Sequence, residues 1–307
     1  MPVKKTELWG KYLGGLLGSA LGDAIGELAF RFSEESRLRG AIAAAPLLRY
    51  TDDTAMALGL AESLAERRDL DPGHLGQTFH RHFNREPWRG YASGPPTIFQ
   101  MVEKSGGTYE EAAQHLFGGQ GSLGNGAAMR VAPLGLFFHD SRDLYDKAAA
   151  SAAVTHAHPL AQDGAAIQAG AVALAVKLDP SKPFSQDAFL RRMQGLARTP
   201  ELKEKLSLLR ALLKSRVPGP QAAKVLGQSV MIHESLPFAL YAFLSWPHSF
   251  EDCLLGAVLH GGDRDTLGAM AGAVSGAYLG AAGLPALWRE KLENLDLIEK
   301  AALALLV

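Results

Sequence analysis

Cysteine is almost missing from this chain. Cys253 is the only one in 307 residues, so no disulfide can form within it, and a reducing, cytoplasmic setting is expected. An excess of charge is missing too. The 31 lysines and arginines face 32 aspartates and glutamates, a net charge of -1, which leaves no global field to draw the chain onto nucleic acid or an anionic membrane. Periodic runs of valine, isoleucine and threonine are scarce, which argues against a sheet. No Ser/Gly linker or compositional break divides the chain, and no repeat of roughly 20 to 50 residues is present. The basic start, Met1 to Glu7, leads into a segment that Asp23 and Glu27 interrupt, so no secretory leader is expected.

What is present is helical in pattern. Hydrophobic residues make up 47% of the chain, and long Ala/Leu-rich stretches place them three and four residues apart. The expected fold is all-α, one domain over residues 1–307. Helices are expected at 6–27, from Thr51-Asp52-Asp53-Thr54 onward, and at 73–85, 95–105, 109–117, 142–155, 160–178, 185–197, 201–215, 219–232, 234–245, 250–260 and 265–281. Residues 28–50, with the charged cluster Arg31 to Arg39, read as an irregular loop, and so does Trp88 to Pro96. Leu267 to Trp288 carries no charge and is long enough in principle to span a bilayer. Its glycine and alanine content is weakly hydrophobic and Pro285 interrupts its end, so it reads as a buried central helix.

Two segments share an unusual spacing. Gly268, Gly272, Gly276 and Gly280 repeat every fourth residue, and so do Gly14, Gly18, Gly22 and Gly26. On a helix this makes a ridge almost without side chains. A glycine inside a helix costs about 1 kcal/mol relative to alanine, so two such ridges need a compensating contact. Antiparallel packing of one against the other supplies it and brings Asp23 toward Asp263 and Asp265. Thr51-Asp52-Asp53 and Asp263-x-Asp265-Thr266 each offer two carboxylates and a hydroxyl. Either alone reads as a helix N-cap. Brought together by the ridges, they repel unless a cation compensates, and hard oxygen donors without His or Cys favour Mg²⁺, Mn²⁺ or Ca²⁺.

Gly118 to Gly126 opens a helix at Ala127. Such a loop presents backbone N–H groups to a phosphate, with a plain loop as the alternative. Gly119-x-Gly121-x-x-Gly124 matches the dinucleotide fingerprint in letters only, because a helical segment precedes it rather than a strand. His156-x-His158 and His80-x-His82 lack a third zinc ligand at a telling distance. His156 stands apart because Thr155-His156 ends a helix, where it can reach a ligand.

Gly22-Asp23-Ala24-x-Gly26, Thr51-Asp52-Asp53-Thr54, Gly124-Asn125-Gly126-Ala127-Ala128-Met129-Arg130 and Gly261-Gly262-Asp263-x-Asp265-Thr266 follow one another in this order. Together they resemble the ADP-ribosylglycohydrolase family, over residues 11 to 282. Thr155-His156 and Glu234-Ser235-x-Pro237 tilt the resemblance toward the branch with the serine-ADP-ribose hydrolase. It implies a compact orthogonal helical bundle with a central dinuclear cleft for two Mg²⁺ or Mn²⁺, held by Thr51, Asp52, Asp53, Asp263, Asp265 and Thr266. It also implies that Gly121, Ser122, Gly124, Asn125 and His156 hold the diphosphate and ribose of ADP-ribose, with Phe117 stacking near the adenine. Phe30 stands where relatives carry a glutamate, so Glu27, Glu34 and Glu35, with Asp265, are the candidate catalytic carboxylates. Leu123 takes a place that is aromatic in some relatives.

The expected activity is hydrolysis of the bond between ribose C1″ and a side chain in ADP-ribosylated proteins, or of other ADP-ribose conjugates, by a monomer with no membrane or nucleic-acid role. The rivals are an ADP-ribose-binding protein without turnover and, leaving the resemblance aside, a metal-dependent phosphohydrolase.

Overall fold

Two helices, Lys5–Arg31 and Arg264–Leu279, lie antiparallel with their glycine ridges in backbone contact. A Cβ placed on Gly14 would stand 2.3 Å from the carbonyl oxygen of Gly276, one on Gly18 2.2 Å from that of Gly272, and one on Gly22 2.0 Å from that of Gly268. The register then carries Gly26 to Arg264 and Asp265, whose backbone comes within 2.6 Å of such a Cβ. No other residue type fits these approaches. Gly280 closes the ridge as the helix cap: its carbonyl carbon would stand 2.6 Å from a Cβ on Gly14, and its φ of 77° ends the helix at Leu279, before the expected residue 281.

This computed structural model describes residues 5–306, with side chains from residue 7 on. Met1 to Lys4, on which the reading of the basic start partly rests, and Val307, the last residue of the expected 1–307 domain, lie outside the described residues. Among those described, nineteen α-helices and one short 3-10 turn occur and no strand is formed, as expected of an all-α fold. The helix pair is central. Helices Asp52–Arg67, Pro159–Lys177, Ile232–Ser245, Phe250–Val258 and Leu295–Leu306 pack around it. The segment Glu7–Arg31 is long and apolar enough to cross a membrane by composition, yet 83% of its apolar window is buried in the fold.

The expected irregular stretch over 28–50 is largely helical. The first helix continues to Arg31, and Glu35–Ala44 forms another. Leu38 and Ile42, one turn apart, are buried there, and Arg39 pairs with Glu35 four residues back. The charges that suggested a loop are the outer face of that helix. Two expected helices are instead cut short. The one at 109–117 stops at Gln114 and breaks where Phe117 (φ 52°) and Gly118 (φ 67°) turn left-handed. The one at 219–232 stops at Leu226 because Gly227 (φ 86°) turns the chain away.

Candidate active site

Asp23 follows the ridge glycine Gly22 and is fully buried. Its carboxylate accepts from the backbone N–H of Thr51 (3.0 Å) and of Thr54 (3.0 Å), and from their hydroxyls at 2.8 and 2.6 Å. It therefore caps the Asp52–Arg67 helix from the neighbouring one, a charge-assisted arrangement that also suits the helix dipole. The first glycine helix thus fixes where Asp52 and Asp53 stand. The second fixes Asp265 and Thr266, because they open it.

These residues meet in one cavity of about 290 Å³. Its wall includes Asp52, Asp53, Asp263, Asp265 and Thr266, and opposite them Phe117, Ser122, Gly124, Asn125 and His156. Two expected site residues sit just behind it: Thr51, donating to Asp23, and Gly121 (φ 72°), packed on Ala157 and His158. Glu27, Glu34 and Glu35 are not part of the wall. Glu34 and Glu35 pair instead with Arg37 and Arg39 on the outer helix. A larger groove of about 640 Å³, between Gln186 and Lys214, has as its one acid Asp187, already paired with Arg191 and Arg210.

The acids crowd one another. Burial and the neighbouring charge of Asp23 push the pKa of Asp52 up to about 7, and burial with Asp263 beside it pushes Asp265 up to about 8. Burial and the charge of Asp265 also hold the pKa of Asp53 well above the usual carboxylate range, and among the described residues its buried Oδ2 has no hydrogen-bond partner. No three His, Cys, Asp or Glu side chains among the described residues close to metal-binding distances. The acids share a cavity without converging on one point, so a finished dinuclear cage is not drawn. The donor chemistry still fits a divalent cation: an orphaned carboxylate oxygen, four acids in one cavity, and hydroxyls with lone pairs to spare on Thr51 and Thr266.

The opposite wall is held by a strap. The carbonyl of Val230 accepts from Asn125 N (2.9 Å) and that of Gln228 from Asp263 N (3.0 Å), while Glu234 accepts from Ser229 N (3.2 Å). Above it, Phe117 is 65% exposed at the rim. Arg130, the last residue of the Gly124–Arg130 motif, has a place in the site that its sequence position does not signal. Its guanidinium is fully buried, stands over the Phe79 ring at 4.6 Å, and donates to Thr155 Oγ1 at 2.7 Å and to the Gly126 carbonyl at 3.2 Å. Thr155 Oγ1 lies 2.7 Å from His156 Nδ1. Gly90 and Ala92 to Pro95, within the stretch expected only as a loop, form a further part of the wall. Arg89 anchors it, donating to Glu86, to Glu293 and to the Tyr50 carbonyl.

The sequence profile of ADP-ribosylglycohydrolases matches residues 4–307. The chain belongs to the ADP-ribosylglycohydrolase family. It is similar to the protein named ADP-ribosylhydrolase ARH3 from Homo sapiens, 33% identical over 275 residues, 81% of this chain and 76% of that one. The Mus musculus protein of the same name is 33% identical over 276 residues, 81% and 74% of the two chains. A solved structure described as an ADP-ribosylglycohydrolase-related protein complex superposes with a TM-score of 0.71 at 25% identity over 98% of both chains. These ADP-ribosylglycohydrolase relatives agree with the family and the branch that the motifs indicate.

Proposed function

We propose that this protein hydrolyses the ribose C1″ bond of ADP-ribosylated proteins or related ADP-ribose conjugates, releasing ADP-ribose, with two Mg²⁺ or Mn²⁺ as cofactors. The observation that carries this reading is the single cavity with four aspartates on one wall and the glycine loop with His156 on the other. An acidic wall suits a cation, and a loop of N–H groups suits a diphosphate. Thr51, Asp52, Asp53, Asp263, Asp265 and Thr266 would hold the ions. When bound, these would supply positive charge to orient ribose hydroxyls and acidify water.

The chain's own residues do the remaining work. Ser122, Gly124 and Asn125 orient the diphosphate, and Phe117 offers an exposed face to the adenine. Cleavage passes through an oxocarbenium-like state: the bond from C1″ to the side-chain atom breaks, water adds to C1″, and the departing atom takes a proton. A carboxyl that supplies that proton has to reach the cavity. The carboxylates on its wall, among the described residues, are Asp52, Asp53, Asp263 and Asp265. The test is incubation with serine- and arginine-linked ADP-ribosyl peptides, with and without Mg²⁺. Release of free ADP-ribose is expected. Binding without turnover, or release of inorganic phosphate, would reject the proposal.

A further inference from the structure

The hydrogen-bonded run from Arg130 through Thr155 to His156 has one consistent arrangement of protons. A guanidinium only donates, so the Thr155 oxygen accepts from Arg130 Nη2 at 2.7 Å. Thr155 is buried, and among the described residues its hydroxyl has one other polar neighbour, His156 Nδ1 at 2.7 Å. If Nδ1 carried a proton, Thr155 would accept twice and its own hydrogen would face no acceptor. A buried donor left unmade costs about 1–3 kcal/mol. Donating that hydrogen to Nδ1 removes the cost. A neutral imidazole that accepts at Nδ1 carries its proton on Nε2.

Neutrality is secured by the surroundings. Burial and the nearby Arg130 charge push the His156 pKa down to about 3. Nε2 faces the glycine loop: a Cβ on Gly126 would stand 2.9 Å from it and one on Gly124 3.7 Å away. His156 also lines the cavity. Arg130 holds both sides of this arrangement, since it donates as well to the Gly126 carbonyl in the loop's own helical turn.

We infer that Arg130 is a positioning residue that, acting through Thr155, locks His156 as its Nε2–H tautomer, so that the cavity presents a fixed donor, and not an acceptor, to an oxygen of bound ADP-ribose. The choice of ADP-ribose rests on the proposed function; the tautomer does not. A preset donor favours an anionic oxygen and rejects a group that can only donate.

The test uses the full chain labelled with ¹⁵N-histidine and long-range ¹H–¹⁵N correlation at neutral pH, with His156 assigned by the signal lost in His156→Gln. The wild type is expected to show the Nε2–H pattern without ligand. Thr155→Val removes the hydroxyl at nearly constant shape, leaves Nδ1 without its donor and the ring without its anchor, and should shift and broaden the His156 ¹⁵N pattern relative to the wild type, weakening ADP-ribose binding by calorimetry at least about tenfold. Thr155→Ser should restore both, and Arg130→Leu should give mixed tautomers. An Nδ1–H pattern in the wild type overturns the inference, and so does Thr155→Val with pattern and affinity unchanged. An Nε2–H pattern in a protein that does not bind ADP-ribose would leave the relay standing and remove the functional reading instead.

Discussion

Asn125 donates from Nδ2 to Asp263 Oδ2 at 2.8 Å, across 138 residues of sequence. This bond ties the glycine loop to the acidic motif, and the strap at Gln228 and Val230 ties their backbones as well. The two halves of the cavity are therefore one mechanical unit. Asn125→Ala should weaken both ADP-ribose and Mg²⁺ binding by roughly ten- to a hundredfold, the worth of one hydrogen bond to a charged group. Asn125→Asp sets a like charge against Asp263 and should disturb ADP-ribose more. Calorimetry on both variants checks this; ADP-ribose affinity that does not change would mean the loop and the motif serve separate sites.

Gly22→Ala puts a methyl group 2.0 Å from the Gly268 carbonyl oxygen. Backbone cannot yield as a side chain does, so the two central helices must part. A loss of at least about 3 kcal/mol in urea unfolding is expected. Gly40 is the control: it is also helical, with nothing within 4 Å of an added Cβ. Gly40→Ala should gain about 0.5–1 kcal/mol. Equal effects of the two would show that the ridge contact is not what holds the helices together.

The ridges are the part of the fold most legible in sequence, because their cost had one economical explanation and the spacing fixed its direction. Asp52, Asp53, Asp263 and Asp265 were legible as a group for the same reason. The Arg130–Thr155–His156 run was not, since a buried arginine has no sequence signature and its partners lie a helix apart. The Glu35–Ala44 helix was missed because its apolar stripe is only Leu38 and Ile42, under a dense cover of charge.

The missing glutamate yields a sharper expectation. Glu34 and Glu35 lie outside the cavity, with side chains 68% and 57% exposed and paired to arginines. Such surface pairs contribute little. Glu34→Gln and Glu35→Gln should keep kcat within about twofold, whereas Asp265→Asn should abolish turnover and weaken binding of a divalent ion. A large loss of kcat in either glutamate variant would move the chemistry back to the segment after Gly26.

Acidity and metal should act against each other. The pKa of Asp52 is raised to about 7 and that of Asp265 to about 8. Their folded forms therefore hold a proton that the unfolded chain releases near about pH 4. Stability from this source is whole below about pH 4 and is lost as pH climbs through those two values. Metal-free protein should show a Tm that falls between about pH 5 and pH 8, less steeply in Asp52→Asn. Added Mg²⁺ binds the ionised carboxylates, so it should raise Tm more at the alkaline end. Thermal scans that show no Mg²⁺ effect anywhere in this window would remove the divalent-cation reading.

The register of the glycine ridges has a consequence for synthesis. The glycine ridge at residues 14–26 finds its backbone partner in residues 264–281, with most of the chain made in between. Until then an apolar helix is without the backbone that buries it. Contacts this distant in sequence close late and fold slowly. A nascent chain stalled before residue 264 should expose that helix to chaperones or to membrane surfaces. It would also hold Asp23, Asp52 and Asp53 without Asp265 and Thr266 beside them, so the acidic cavity comes into being in the same step that joins the two ridges.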